Sequence, residues 1–118
     1  MNEIEAKEIS GSKTAEESLL FFSKNFPNLK IMLTLGEKGS VYFEKENKIF
    51  QSAFLVDAVD TTGAGDTFTG YFVAGISQNE NYCEILKKAS AASAIAVSKM
   101  GAAPSIPKID EVKKFIAK

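Results

Sequence analysis

Polar and apolar positions along the chain change period several times, and each change predicts an element. Leu19, Leu20, Phe22 and Phe26 follow Thr14 at helical spacing until Pro27, which predicts a helix that proline stops. Thr14 and Glu17 stand three residues apart, the spacing at which hydroxyl and carboxylate can cap a helix start reciprocally. Leu29 to Leu35 is a nearly continuous apolar run closed by Gly36, the pattern of a strand buried on both faces of a parallel sheet. Ser40 to Glu44 and Lys48 to Gln51 flank charged turn residues around Asn47 and predict a hairpin.

Beyond the hairpin the period becomes helical. Phe68, Tyr71, Phe72, Gly75 and Ile76 form one stripe behind the glycine-rich segment Thr61-Thr62-Gly63-Ala64-Gly65-Asp66. Asn81 to Glu84 is a second box-like cap, opening a helix through the small residues Ala89 to Ser98 that ends before Gly101. After Pro104 and Pro107, a last helix carries Ile109, Val112, Phe115 and Ile116 on one face. Asn2 to Ser10 reads as a helix opening with no strand ahead of it. A strand, a hairpin and then consecutive helices fit an α/β layer better than a bundle. At 118 residues the chain can bury one hydrophobic core without disulfides or metals, but not two.

Composition narrows the chemistry. The apolar fraction is 45%, and 14 basic against 15 acidic residues leave a net charge of −1. There is no His, and all 14 basic residues are Lys. A Ser-His-Asp triad, a His base and a His-containing zinc site are therefore excluded, so a general base here is a carboxylate or a lysine. Without Arg and without excess positive charge, nucleic acid is not the expected partner. Cys83 is alone and has no His to activate it, so it reads as a small apolar residue. The acidic start is unlike a secretory signal, and no apolar run approaches the roughly 18 residues of a membrane span. The expectation is a cytoplasmic protein.

Gly63-Ala64-Gly65 at a helix start would present backbone N–H groups to one point, with the positive end of the helix dipole behind them. Such a nest holds an anion, and the glycines let a phosphate approach the backbone. A carboxylate at that place, Asp66, would repel the ligand unless its task is to accept a proton. It could take one from an attacking hydroxyl while the nest stabilises charge on a transferring phosphoryl group. The plainer alternative is a glycine turn with Asp66 as an ordinary residue of a first helical turn.

The eleven residues Asp60-Thr61-Thr62-Gly63-Ala64-Gly65-Asp66-Thr67-Phe68-Thr69-Gly70 resemble the C-terminal signature of the ribokinase-like (PfkB-type) carbohydrate kinases. The resemblance implies that Asp66 is the catalytic base and that Gly63, Ala64 and Gly65 form the anion hole. Asn2-Glu3-Ile4-Glu5 is similar to that family's Asn-x-x-Glu motif, which implies that Asn2 serves the nucleotide phosphates and Glu5 serves Mg²⁺ through water. Thr34-Leu35-Gly36-Glu37-Lys38-Gly39 looks like its strand-to-loop segment, which implies nucleotide contacts from Thr34, Gly36, Glu37 and Gly39. Lys99 to Pro107 is similar to the tail of ribokinases. The resemblance also implies a monovalent cation, K⁺, on Asp60, Thr62, Ala96, Lys99, Gly101 and Ser105, mostly through backbone oxygens. Ser90 stands where many relatives have Asn near the adenine. Ala91, Ala92 and Ala94 beside it either leave a slot for a flat base or are helix packing.

What the resemblance implies as a whole is the C-terminal portion of a three-layer α/β/α fold across residues 1–118, with ATP, Mg²⁺ and a small sugar as ligands. The sugar-binding N-terminal half and the lid would lie before Asn2. The isolated chain is then expected to be inactive, to expose a sheet edge or apolar face, and to need that half or a second copy of itself. A nucleotide-binding module without catalysis, a purely structural fragment and a nucleoside kinase of the same family are the competing readings.

Overall fold

A computed structural model describes residues 1–45, 47–57, 63–98 and 107–117. The chain divides into two compact units, Met1–Phe50 and Gln51–Lys118. Each unit has its own buried cluster, where chain length had led us to expect a single core.

In the first unit, α1 (Glu3–Ser10) and α2 (Ala15–Asn25) precede β1 (Lys30–Thr34), a 3-10 turn (Gly36–Lys38), β2 (Ser40–Glu44) and β3 (Asn47–Gln51). The sheet order is β1-β2-β3. β1 and β2 run antiparallel, in register from Lys30 opposite Glu44 to Thr34 opposite Ser40. The parallel sheet expected around Leu29 to Leu35 is thus corrected for this pair. The few residues from Leu35 to Gly39 can close a hairpin but not a crossover. Gly36 (φ 61°) and Gly39 (φ 123°) take left-handed backbone that other residues rarely adopt, and Leu35 N–H donates to Gly39 C=O at 2.8 Å to shut the turn.

The burial of β1 is one-sided. Ile31 and Leu33 join Ala6, Leu19, Phe22 and Phe43 in the core, whereas Met32 and Thr34 are half-buried and Lys30 is exposed. Ser18, also buried, ties the two helices together: its Oγ donates to Thr14 C=O and accepts from Ser10 Oγ, both at 3.0 Å. The Lys48–Glu16 ion pair at 2.6 Å is exposed and worth at most about 1 kcal/mol.

The reciprocal cap expected at Thr14 is half made. Thr14 Oγ1 accepts from Glu17 N–H at 3.1 Å, but Glu17 Oε2 accepts from Lys13 N–H at 3.2 Å. The complete box lies at α1: Asn2 Oδ1 accepts from Glu5 N–H at 2.8 Å, and Glu5 Oε1 from Asn2 N–H at 2.9 Å.

The second unit holds α3 (Ala64–Ser77), α4 (Tyr82–Val97) and α5 (Ile109–Ala117). Phe68, Phe72 and Gly75 of the expected stripe on α3 are buried and Tyr71 is half-buried, but Ile76 is exposed. Ala89, Ala91, Ala92, Ala94 and Ala96 of α4 are buried. Ala91 and Ala92 cluster with Ile95 and Val112, covered by Phe54, Tyr71, Phe115 and Ile116. Asn81 caps α4 by accepting from Cys83 N–H at 2.8 Å, so the cap is simpler than the box expected with Glu84. Cys83, read from the sequence as a small apolar residue, is exposed at the second position of α4.

Gly75 shows how closely α3 and α4 approach. A Cβ placed there would stand 2.7 Å from Cγ1 and 3.0 Å from Cγ2 of Ile85, a β-branched side chain with little rotamer freedom. Gly75→Ala should therefore destabilise the protein by about 1–2 kcal/mol despite alanine's better helix propensity. In an Ile85→Ala background the same change should cost nothing or gain up to about 1 kcal/mol, and urea unfolding of the four variants measures the coupling.

Candidate active site

The start of α3 differs from the other capped helices. Its N-cap is Gly63, left-handed at φ 80° and ψ 0°, and no side chain caps it. The helical ladder begins with Thr67 N–H donating to Gly63 C=O at 2.9 Å, which leaves the N–H groups of Ala64, Gly65 and Asp66 ahead of it. Gly65 is exposed, and a Cβ built on it would meet nothing within 4 Å. Glycine costs a helix about 1 kcal/mol relative to alanine, and among the described residues neither packing nor a positive φ calls for it here. Among the described residues, nothing crowds the place a Cβ would take beside the first N–H groups. Asp66, in the first turn, is exposed. The arrangement can hold an anion against backbone donors with a carboxylate beside it.

Other sequence-predicted residues of this unit divide between buried and undescribed. Ser90 and Ala96 are buried in α4. Asp60, Thr62, Lys99, Gly101 and Ser105 lie outside the described residues. In the first unit, Asn2 and Thr34 face each other across a parallel bridge, with Thr34 N–H donating to Met1 C=O at 3.0 Å. Gly36, Glu37 and Gly39 belong to the turn that follows β1. Asn2 and Glu5 are joined in the capping box, which engages Asn2 Oδ1 and Glu5 Oε1. Among the described residues no three acidic or cysteine side chains gather as a metal cluster. No described helix is long and apolar enough to cross a membrane.

One polar contact escaped the sequence. Tyr71 Oη donates to Pro107 C=O at 2.6 Å, joining α3 to the residue just ahead of α5. At helical spacing Tyr71 counts simply as apolar, yet a half-buried phenol needs a partner for its hydroxyl, and that requirement was the available signal. Nearby, Glu80 and Lys88 pair at 2.8 Å in a groove also lined by Tyr71, Gly75, Ile85 and Lys113, of which Asp66 is not part.

The model of the pfkB family carbohydrate kinases matches residues 1–109. The chain belongs to that family. Among the relatives of this PfkB chain, a ribokinase from Haemophilus influenzae is 36% identical over 121 residues, covering 98% of this chain and 39% of the relative. A probable fructokinase-3 from Arabidopsis thaliana is 37% identical over 124 residues, covering 98% of this chain and 36% of the relative. The solved Arabidopsis thaliana ribokinase, complexed with ribose and ATP, matches with a TM-score of 0.89 at 34% identity, over 98% of this chain and 39% of that one. The PfkB chain thus has the ribokinase fold over its length and spans about two fifths of the relatives it matches.

Burial, and secondarily the Glu111 carboxylate, raise the pKa of Tyr71 above the ordinary tyrosine value of 10.0. The fold therefore favours the protonated phenol, while the unfolded chain releases that proton at the ordinary value. This contribution is intact below pH 10 and is lost as pH rises above it. In Tyr71→Phe the PfkB chain should lose about 1 kcal/mol at pH 7, together with part of its alkaline loss of stability. Thermal melts of both proteins between pH 8 and 11 would show the difference, and parallel curves would refute it.

Proposed function

We propose that this chain is the nucleotide-binding, base-bearing portion of an ATP-dependent kinase that phosphorylates a sugar hydroxyl, with Asp66 as general base and Gly63, Ala64 and Gly65 as anion hole. The observation that carries the reading is the start of α3, where an exposed carboxylate stands in the first turn of a helix capped by glycine alone. In this reading a carboxylate oxygen of Asp66 takes the proton of the acceptor hydroxyl as its oxygen attacks the γ-phosphorus of ATP. The bond to the bridging oxygen breaks, and its electron pair leaves with ADP. The N–H groups at the start of α3 meet the negative charge spread over the transferring phosphoryl oxygens, which is where positioning and electrostatics supply the rate.

Thr34, Gly36, Glu37 and Gly39 would lie along the nucleotide, as the family resemblance implies. Mg²⁺, when bound to the ATP phosphates, would neutralise part of their charge. Asn2 would serve the nucleotide phosphates and Glu5 would reach the ion through water, as the family resemblance implies, with one oxygen of Glu5 engaged in the capping box. The monovalent cation would rest on Asp60, Thr62, Ala96, Lys99, Gly101 and Ser105. Ser90, buried beside Ala91 and Ala92, would lie near the adenine, as the family resemblance implies.

Ribose and fructose are both open as acceptors, since the ribokinase and the fructokinase relative are equally similar. The resemblance of Lys99 to Pro107 to the ribokinase tail favours ribose. Because the relatives are longer, the acceptor pocket is assigned to residues beyond these 118. A chain binding nucleotide without catalysis is the second reading, favoured by the same difference in length.

Calorimetry with ATP and Mg²⁺ on this chain, beside a coupled assay over ribose and fructose, separates the two. Binding without turnover is expected for the chain alone, and no binding would sink both. In a protein completed with its N-terminal part, Asp66→Asn should lower kcat about 10²–10⁴-fold while ATP affinity stays within about twofold. Full turnover in that variant would remove Asp66 as the base.

A further inference from the structure

Along the C-terminal half of α3, the described residues of the second unit form a groove of about 300 Å³ with α4 and α5. Tyr71 and Gln78 mark its extent on α3, and Gln78 lies about 18 Å along the helix axis from Asp66. The volume is at the low end for small-molecule pockets and below the roughly 400 Å³ that one turn of a helix with its side chains occupies. A small molecule therefore fits it better than a segment of a protein partner.

The floor is apolar. Gly75 brings no side chain, so Ile85 lies against the backbone of α3, and Ala74 beside it is exposed and too short to fill the space. Ile109 closes one side from α5 and remains exposed there. The Tyr71 hydroxyl is spent on Pro107 C=O, which holds that side chain in the wall.

The rim is charged and out of balance. Lys88 Nζ donates to Glu80 Oε2 at 2.8 Å, and both side chains are about three quarters buried, so these two charges meet each other. Lys113 also lines the groove and has no ion-pair partner among the described residues. Two ammonium groups thus share one carboxylate. Lys88 keeps two N–H donors beyond the one given to Glu80, and the Gln78 amide adds further donors to the same lining.

We propose that this groove binds a small organic monocarboxylate, its hydrocarbon body over Ala74, Ile85 and Ile109 and its carboxylate accepting from the Lys113 ammonium. The surplus of one positive charge selects a monoanion over a dianion. The floor selects an organic acid over a hydrated inorganic anion, which would gain nothing from apolar contact. The site shares no residue with the start of α3, so it goes beyond the kinase reading and stands without it.

The test titrates this chain with 3-phenylpropionate and follows backbone amides by NMR. Shifts should gather at Gly75, Gln78, Ile85 and Lys113 and saturate with a Kd of about 1 mM or below. The neutral isostere 3-phenylpropanamide should bind about fivefold more weakly, because it lacks the charge that meets Lys113. Lys113→Met keeps the stem and removes that charge: it should weaken the acid about fivefold and erase its advantage over the amide. Lys114→Met, a neighbour outside the lining, should change neither. Ala74→Phe fills the floor from an exposed helix position and should abolish the shifts with the circular dichroism unchanged.

No saturable shift up to about 10 mM, equal affinity for acid and amide, or undiminished binding by Lys113→Met would each overturn the proposal. Equal weakening by Lys114→Met would do the same, since it would make the attraction one of general charge. ATP with Mg²⁺ should leave the probe bound, and displacement would move the site to the start of α3. In a protein completed with its N-terminal part the same shifts should persist, and their loss would mean that a protein surface fills the groove instead.

Discussion

A helix start leaves three or four backbone N–H groups with no carbonyl to meet, and how each start is satisfied organises this protein. Asn2, Thr14 and Asn81 close α1, α2 and α4 with their own side chains. Gly63 brings no side chain to α3, and the next three N–H groups lie ahead of the ladder. Glycine at the N-cap costs about a few tenths of a kcal/mol relative to Asn or Ser, and it stands at the helix where the family resemblance implies an anion. Side-chain caps on α1, α2 and α4 make the start of α3 informative, since a chain that caps three helices well does not lack the means to cap another.

The same accounting applies to the Asn-x-x-Glu segment. Its two polar side chains satisfy each other's backbone and hold α1 in place beside β1. A structural duty and a ligand-facing duty can coexist in one carboxylate, because Glu5 engages a single oxygen in the box and a carboxylate has two. α1 is thereby fixed at the end of β1, with Asn2 against Thr34.

Periodicity made most elements legible. The helices around Phe22, Phe72 and Val112 and the hairpin of β2 and β3 fall where the apolar pattern puts them, because amphipathic spacing is a local property. Partners were less legible. The apolar run at β1 suits a strand covered on both faces, but its pairing sense depends on a turn held by Gly36 and Gly39. Glu17 accepts from the Lys13 amide rather than from that of Thr14, a choice between neighbouring donors that no spacing rule resolves. At the candidate site, the order Gly63 to Asp66 was readable from glycine and carboxylate chemistry. The hydroxyl of Tyr71 was not, since its partner is a backbone carbonyl 36 residues away.

The crossing of α3 and α4 has a consequence for descent. The space at position 75 is occupied up to the backbone by Ile85, so the two positions share one fixed volume. A lineage that enlarges residue 75 must first shrink residue 85, and passing in the other order goes through a less stable ancestor. Among sequences that keep this crossing, the two sites should therefore vary as a pair, with glycine opposite a branched side chain as one of its few solutions.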